Sequence, residues 1–548
     1  MRGPRAAAST KKTTPFSEKS GETMQSRSQL SRRALLSGAA ASLALPFLPR
    51  GARALSPPTV SDADWWELGQ EITGGVLRPN DPRFVTLTQP ENLRYFNPPA
   101  QPGAPPDPDA PFGVVRPHSA EEVRRAIKWA RKNDLPMVPR SGGHSYAGCS
   151  TVPGLVINSS AMQSVEIEDG LIVAGGGALF GNLLAGLRDI KAGGETARYT
   201  ITHGRCRGVG LSAYLMGGGW ALDSPLAGMG CDRVRKVEIV LADGRIVIAK
   251  EDDSDTRDLF WAVRGGGGGN LGFATKWWLE PLPVEKVVAF SGTWRLSGNA
   301  QAAFQSLLRA LDAAPDRMGA EMTLSTTSAS VKSPWRYEIK LTCQLHGSRD
   351  EFDAILGSAL AAVDLAESKD CSFNDCSSNA CLELPYWDAQ EFFEIQSLPN
   401  RYQETSLFAG EVSDDFIDEI FRIWPTWPGT VSAARLTAYR VGGKVNTVAP
   451  DAMAFVHRTY RWLITTDIDW SGGDDPQHID ENLNWQRQVY DTFDVMLGRP
   501  GSYQNEEHRP PSAPAQYPMC VSGNPSHFGA PGTKGSSEQP RNAVVVVA

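Results

Sequence analysis

Residues 140–145 read Arg140-Ser141-Gly142-Gly143-His144-Ser145, the first of four glycine clusters that organise the N-terminal half of the chain. The others are Gly175-Gly176-Gly177, Gly217-Gly218-Gly219 and the run Gly265 to Gly269. Without a Cβ, successive backbone N–H groups can turn into one concavity and hold phosphate oxygens with no side chain involved. Rival readings of these loops fail on residue type. Gly267-x-Gly269-x-x-Gly272 fits the dinucleotide fingerprint, but a glycine run does so by chance, and no acidic ribose partner stands at the expected spacing. No Walker lysine is present. Gly143-His144-Ser145-Tyr146-Ala147 has Ala where a nucleophile elbow needs Gly, which argues against a serine hydrolase.

Working outward, Gly113-Val114-Val115 reads as a strand, and Ser119 caps a helix whose apolar positions Val123, Ile127 and Trp129-Ala130 fall at helical spacing. Met137-Val138-Pro139 is strand again, so this stretch predicts a βαβ unit. Leu155-Val156-Ile157 and Leu171-Ile172-Val173 add strands, and Val237 to Leu241 followed by Ala242-Asp243-Gly244-Arg245 predicts a hairpin. Near Pro281 to Val284 the glycine clusters stop, and longer amphipathic helices begin around 299–313 and 349–366. A domain boundary is expected there.

The chain has 548 residues and a formal net charge of −8, the wrong sign for a nucleic-acid binder. No apolar run reaches the ~18 residues needed to span a bilayer. Ser31-Arg32-Arg33-Ala34-Leu35-Leu36-Ser37, an apolar stretch and Ala52-Arg53-Ala54 predict a twin-arginine export signal over residues 1–54, hence a periplasmic or extracellular protein. Of the eight cysteines, Cys371, Cys376 and Cys381 are spaced for a disulfide-stapled loop rather than a zinc site, and no metal is expected. Cys206 stands apart in glycine-rich sequence.

The run Gly204-Arg205-Cys206-Arg207-Gly208-Val209-Gly210 is followed by Tyr214-Leu215-Met216-Gly217-Gly218-Gly219-Trp220. Asp258 to Gly267, Asn270-Leu271-Gly272, Val448 to Ala452, Phe455-Val456-His457-Arg458 and Tyr503-Gln504-Asn505 come in order behind it. Together with residues 140–145 this series resembles the berberine bridge enzyme-like FAD-linked oxidases of the vanillyl-alcohol oxidase superfamily, over about residues 65 to 505. The resemblance implies an α+β fold: a PCMH-type FAD-binding domain of two α/β subdomains (55–283) and a substrate domain with an antiparallel sheet flanked by helices (284–475). A return to the FAD domain would occupy 476–505. Residues 506–548 depart from the family pattern and form an atypical tail.

The resemblance further implies FAD joined through His144 to the ring 8α-methyl and through Cys206 to ring C6. Arg140, Ser141, Gly142, Gly143, Ser145, Val209, Gly210, Gly217, Gly218, Gly219, Tyr503 and Asn505 would contribute to binding the cofactor. Both tether side chains are nucleophiles that act deprotonated. Arg207-Gly208 stand where the family has Pro-Thr, which makes the histidyl bond the firmer expectation. Val209 aligns with a position where oxygen-using relatives carry Val, so an oxidase is expected, acting on a small-molecule alcohol with O2 as acceptor. Tyr503 matches the family position assigned to the base; Tyr402 is read first as a surface or core tyrosine, with a substrate-side role as the alternative. A dehydrogenase using another acceptor, and an inactive or binding protein produced by the altered C-terminus, are the alternatives. Oligomeric state is left open by the sequence.

Overall fold

The computed structural model describes residues 60–96, 110–296, 298–326, 336–366, 380–395, 398–429, 434–503 and 505. The expected export signal, Cys371, Cys376 and residues 506–548 lie outside them. Among the described residues no helix is long and apolar enough to cross a membrane.

Strands β1 (Val76–Leu77), β2 (Gly113–Val115), β3 (Met137–Arg140) and β4 (Leu155–Asn158) form the first sheet in the order β1-β2-β4-β3. The Ser119 hydroxyl accepts from the Glu122 N–H at 3.3 Å and starts helix α1 (Ala120–Lys132). That helix buries Val123, Ala126, Ile127 and Ala130 against the sheet. Both β2 and β3 pair in parallel with β4. The strands on either side of α1 are therefore not neighbours, and the expected βαβ unit is a crossover with a third strand inserted. Inserting β4 leaves β3 at the edge of this sheet, and the 141–150 loop departs from its end.

The second sheet is antiparallel, β5 (Val165–Glu168), β6 (Leu171–Gly175), β8 (Val234–Val240), β9 (Ile246–Lys250) and β10 (Phe273–Leu279), in the order β5-β6-β10-β8-β9. The predicted hairpin is β8 and β9, closed by Val240 opposite Ile246, with Gly244 at φ +85° where an L side chain would be strained. Strand β7 (Arg198–Thr200) pairs with β11 (Leu282–Val284).

Beyond β11 lies a seven-stranded antiparallel sheet of β12 (Lys286–Leu296), β13 (Met318–Thr326), β14 (Tyr337–Leu345), β15 (Ala380–Pro385), β16 (Arg401–Ala409), β17 (Ala434–Arg440) and β18 (Trp462–Trp470). Its order is β15-β12-β14-β13-β17-β18-β16. The two helices read from the sequence are α3 (Ala300–Asp312) and α4 (Arg349–Ala366), while helix α2 (Leu211–Gly217) lies earlier in the chain. Further on come α5 (Tyr386–Phe392), α6 (Asp414–Ile423) and α7 (Pro476–Met496).

Phe304 and Leu307 of α3, Phe352 of α4, Phe416 of α6 and Trp485, Val489 and Phe493 of α7 share one buried cluster with Met318, Ala320, Met322, Leu324, Leu436 and Ala438. Each such side chain contributes roughly 1.5–3 kcal/mol on burial. Because strand side chains alternate, Glu321 and Tyr439 project from the face opposite these helices. Helix α7 therefore packs on the seven-stranded sheet, so the expected return over 476–505 is divided. Among the described residues the end of that segment, at Tyr503 and Asn505, reaches back to the glycine-rich half, whereas α7 carries its apolar residues toward the seven-stranded sheet.

Cys206, Cys231, Cys343 and Cys381 are free, whereas Cys149 is disulfide-bonded. Cys381 thus stands outside the predicted disulfide loop: it sits on β15 opposite Phe290 of β12, and the ladder fixes its backbone there.

Candidate functional site

The 141–150 loop and the 204–210 loop meet backbone to backbone. A Cβ on Gly142 would lie 2.2 Å from the Gly208 carbonyl oxygen and 2.5 Å from the Gly210 nitrogen, so neither loop tolerates a side chain at the crossing. Below it Arg140 is buried, donating to the Gln89 carbonyl at 2.6 Å and the Thr88 carbonyl at 3.3 Å. Burial pushes the Arg140 pKa down to about 10. His144 follows the positive-φ turn at Gly143, and its Nε2 presses on Gly208, where a Cβ would come within 2.8 Å. Burial lowers the His144 pKa below the ordinary imidazole value, opposed by Glu91 and assisted by Arg140. The ring is therefore neutral at neutral pH, the form in which it is a nucleophile.

Both loops line a cavity of about 620 Å³. Arg140, Ser141, Gly142, Gly143, His144, Ser145, Cys206, Val209, Gly210, Tyr503 and Asn505 all reach its wall, as do Gly176 and Gly266 to Gly269. Gly217, Gly218 and Gly219 are not on that wall. They end helix α2 behind Tyr503, whose ring would be 3.2 Å from a Cβ on Gly218. The third glycine cluster thus shapes the support of a side chain instead of the cavity surface.

Tyr503 is buried, and its phenolic oxygen accepts from the Gly219 N–H at 2.7 Å, the Trp220 N–H at 3.2 Å and the Asn505 amide at 3.0 Å. Three N–H donors converging on one oxygen stabilise negative charge on it. Asn505 also donates to the Tyr214 carbonyl at 3.3 Å, which ties the 503–505 segment to α2. Tyr402 does not line the cavity. It stands behind Tyr146, which does, with ring centroids 5.3 Å apart. Burial raises the Tyr402 pKa far above the phenol range, which disfavours it as a base.

Burial likewise raises the Cys206 thiol, with Arg205 pulling it down and Glu321, Glu91 and Glu394 adding to the rise. Val209 is half-buried in the same wall, and its N–H donates to the Cys206 carbonyl at 3.1 Å. Sequence reasoning missed three further lining residues: Glu321 of β13, Tyr439 of β17 and Trp220, whose ring lies 4.5 Å from that of Tyr439. Strand alternation in β13 and β17 could have marked which residues share a face, but not what that face meets.

The site accommodates FAD on its own evidence. Its walls are glycine backbone at 142, 176, 210 and 266–269. Ser150 lines the cavity with its hydroxyl buried and without a hydrogen-bond partner among the described residues. A neutral imidazole and a thiol stand on the same surface. Fold and site together define an FAD-binding oxidoreductase, and comparison with known proteins agrees.

A family model described as an FAD binding domain matches residues 111–250. The FAD-linked oxidoreductase sorD of Penicillium rubens is 27% identical over 401 residues, covering 70% of this chain and 77% of that protein. The carbohydrate oxidase of Microdochium nivale is 34% identical over 191 residues, 34% of this chain and 37% of that protein. The solved structure of the latter superposes with TM-score 0.62 at 21% identity over 81% of this chain and 90% of its own. BBE-like 1 of Physcomitrella patens superposes with TM-score 0.66 at 21% identity, again over 81% and 90%. Residues 111–250 thus match an FAD-binding domain, and the chain is similar along most of its length to FAD-linked oxidoreductases and shares the fold of berberine bridge enzyme-like proteins.

Proposed function

We propose that this chain is an exported oxidase that takes hydride from an alcohol carbon of a sugar, oligosaccharide or secondary-metabolite scaffold, using FAD tethered through His144 and Cys206 and giving hydrogen peroxide from O2. The observation that carries the reading is one cavity lined by His144, Cys206 and Tyr503, whose phenolic oxygen is held by three N–H donors. When bound, FAD supplies the hydride acceptor and returns the electrons to dioxygen.

The protein's own residues do the rest. Tyr503 takes the proton of the substrate hydroxyl, and the Gly219, Trp220 and Asn505 donors hold the charge that proton transfer requires. The Trp220 indole N–H donates to the Arg440 carbonyl at 3.0 Å and so fixes that ring as a platform beside Tyr439. The glycine loops at 142, 176 and 266–269 would hold the cofactor's phosphates and ribose through backbone. Val209, small and half-buried, leaves space for O2 at the wall. The carbohydrate oxidase of Microdochium nivale supports the sugar arm of the substrate class.

The test is expression of the full chain, acid denaturation and peroxide measurement with a panel of sugars and polycyclic alcohols. Yellow colour retained in the acid precipitate and peroxide release on substrate addition are expected. Colourless protein refutes the tethered flavin. Turnover with a dye but without peroxide in air replaces the oxidase by a dehydrogenase.

A further inference from the structure

Cys206 is flanked by two arginines, and each is tied to an element outside the 204–210 loop. Arg205 forms an ion pair with Glu321 of β13, with side chains only 10% and 13% exposed. Arg207 reaches Glu394 at 2.7 Å and Glu391 at 3.8 Å, on and just beyond α5. Glu391 is itself held by Arg188 at 2.6 Å, and Arg188 also pairs with Asp388 at 2.6 Å. Upstream, His203 stacks on Trp387 of α5 at 5.3 Å with 12° between the rings. Next to it, the Tyr386 hydroxyl lies 3.3 Å from His203 Nε2 and donates to Asp223 at 2.5 Å. The loop is thus gripped from two sides by the second half of the molecule, with the cysteine at its middle facing the cavity.

We propose that Arg205 and Arg207 are positioning residues for Cys206: through Glu321 on one side and Glu394 on the other they hold its thiol at the cavity wall where it joins the flavin ring. The inference rests on the reading above, in which Cys206 is the second tether. It accounts for Arg-Cys-Arg where glycine-rich loops otherwise need no charge. An unpinned loop with Gly204 and Gly208 at its ends would let the thiol swing, and about 1 Å of misplacement is enough to slow a reaction 10²-fold.

Forming the tether exchanges the Cys206 S–H bond and the ring C6–H bond for one C–S bond. Two protons and two electrons leave, and dioxygen, the acceptor in the proposed reaction, takes both to become hydrogen peroxide. Electrostatics sharpen the test, because Glu321 opposes ionisation of the thiol while Arg205 favours it. If charge alone mattered, Glu321→Gln would hasten attachment; if the grip matters, it slows attachment despite easing ionisation.

The experiment expresses the full chain as wild type, Glu321→Gln, Glu394→Gln, Arg207→Ala, Arg207→Lys and Cys206→Ala, and measures flavin on the His144 and Cys206 peptides separately by mass spectrometry over time. The His144 link reports folding and is expected in every variant. Attachment at Cys206 is expected to slow about tenfold or more in Glu321→Gln. A several-fold effect is expected in Glu394→Gln and Arg207→Ala, whose pair is half exposed. Arg207→Lys keeps a cation for the close pair with Glu394 and should match wild type. Wild-type rates at Cys206 in Glu321→Gln and Arg207→Ala, or a faster rate in Glu321→Gln, overturn the proposal. Flavin on His144 with none on Cys206 in the wild type overturns the cysteinyl reading beneath it, a separate and recognisable result.

Discussion

Replacing Tyr503 by Phe removes one oxygen and leaves the N–H groups of Gly219 and Trp220 and the Asn505 amide without their acceptor. Two effects compete. Each donor left dry would cost about 1–3 kcal/mol of stability. The oxygen, however, borders a cavity of about 620 Å³, so a water can take its place and the net loss should stay under about 2 kcal/mol. Catalysis has no such substitute. Loss of a positioned base costs roughly 10²–10⁴ in rate, or about 2.7–5.4 kcal/mol of barrier at 1.36 kcal/mol per tenfold. The catalytic loss should therefore exceed the stability loss. The assay mixes enzyme and substrate without oxygen and follows flavin bleaching, with thermal melting and flavin content run in parallel. A bleaching rate within threefold of wild type refutes the assignment of Tyr503 as base. So does a slow rate that is fully explained by lost flavin.

Further predictions concern packing and charge. Gly142→Ala drives a Cβ into the Gly208 carbonyl and should cost about 1–3 kcal/mol or displace the His144 loop, seen as a lower melting temperature and less attached flavin. Arg458, whose side chain is fully buried, pairs with Asp232 at 2.7 and 3.0 Å. Arg458→Met should cost about 3–5 kcal/mol by denaturant titration, and a second change, Asp232→Asn, should recover part of it. Burial, then the neighbouring Arg458, pushes the His457 pKa down to about 4, against about 6.5 in the unfolded chain. The unfolded state then binds a proton first as pH falls, so stability contributed by this residue is present above pH 6.5 and is lost between 6.5 and 4. With its partial exposure discounted, the loss is roughly 1–3 kcal/mol. His457→Gln should flatten the melting-temperature decline over that window, and an unchanged decline would reject the assignment.

Local structure was legible where the signal was local. Ser119 with its apolar helix, the Asp243-Gly244 hairpin and the helices at Ala300–Asp312 and Arg349–Ala366 each follow from residues within a few positions of one another. Strand order was not, because nothing in residues 113–140 says that β4 will insert between β2 and β3. At the site, the glycine clusters disclosed the wall but not its division of labour. Gly217 to Gly219 look like the other clusters in sequence, yet they serve Tyr503, some 284 residues downstream by the Gly219 contact. Glu321 and Tyr439 carried no motif at all: they reach the cavity because β13 pairs with β17 and sets them opposite one another. Tyr402 shows the converse, a reactive side chain whose core reading holds, since packing places it one residue behind the cavity wall.

The alternation along β13 and β17 has a consequence for what a substitution can change. Met318, Ala320, Met322, Leu324, Leu436 and Ala438 anchor the helices, while Glu321 and Tyr439, one position out of phase, touch the cavity. Core packing and cavity lining are thereby written in interleaved letters of the same strands, so one can be edited while the other is left intact. A substitution on the cavity face, at Tyr439 for instance, can therefore reshape the wall without repacking the core on the other face.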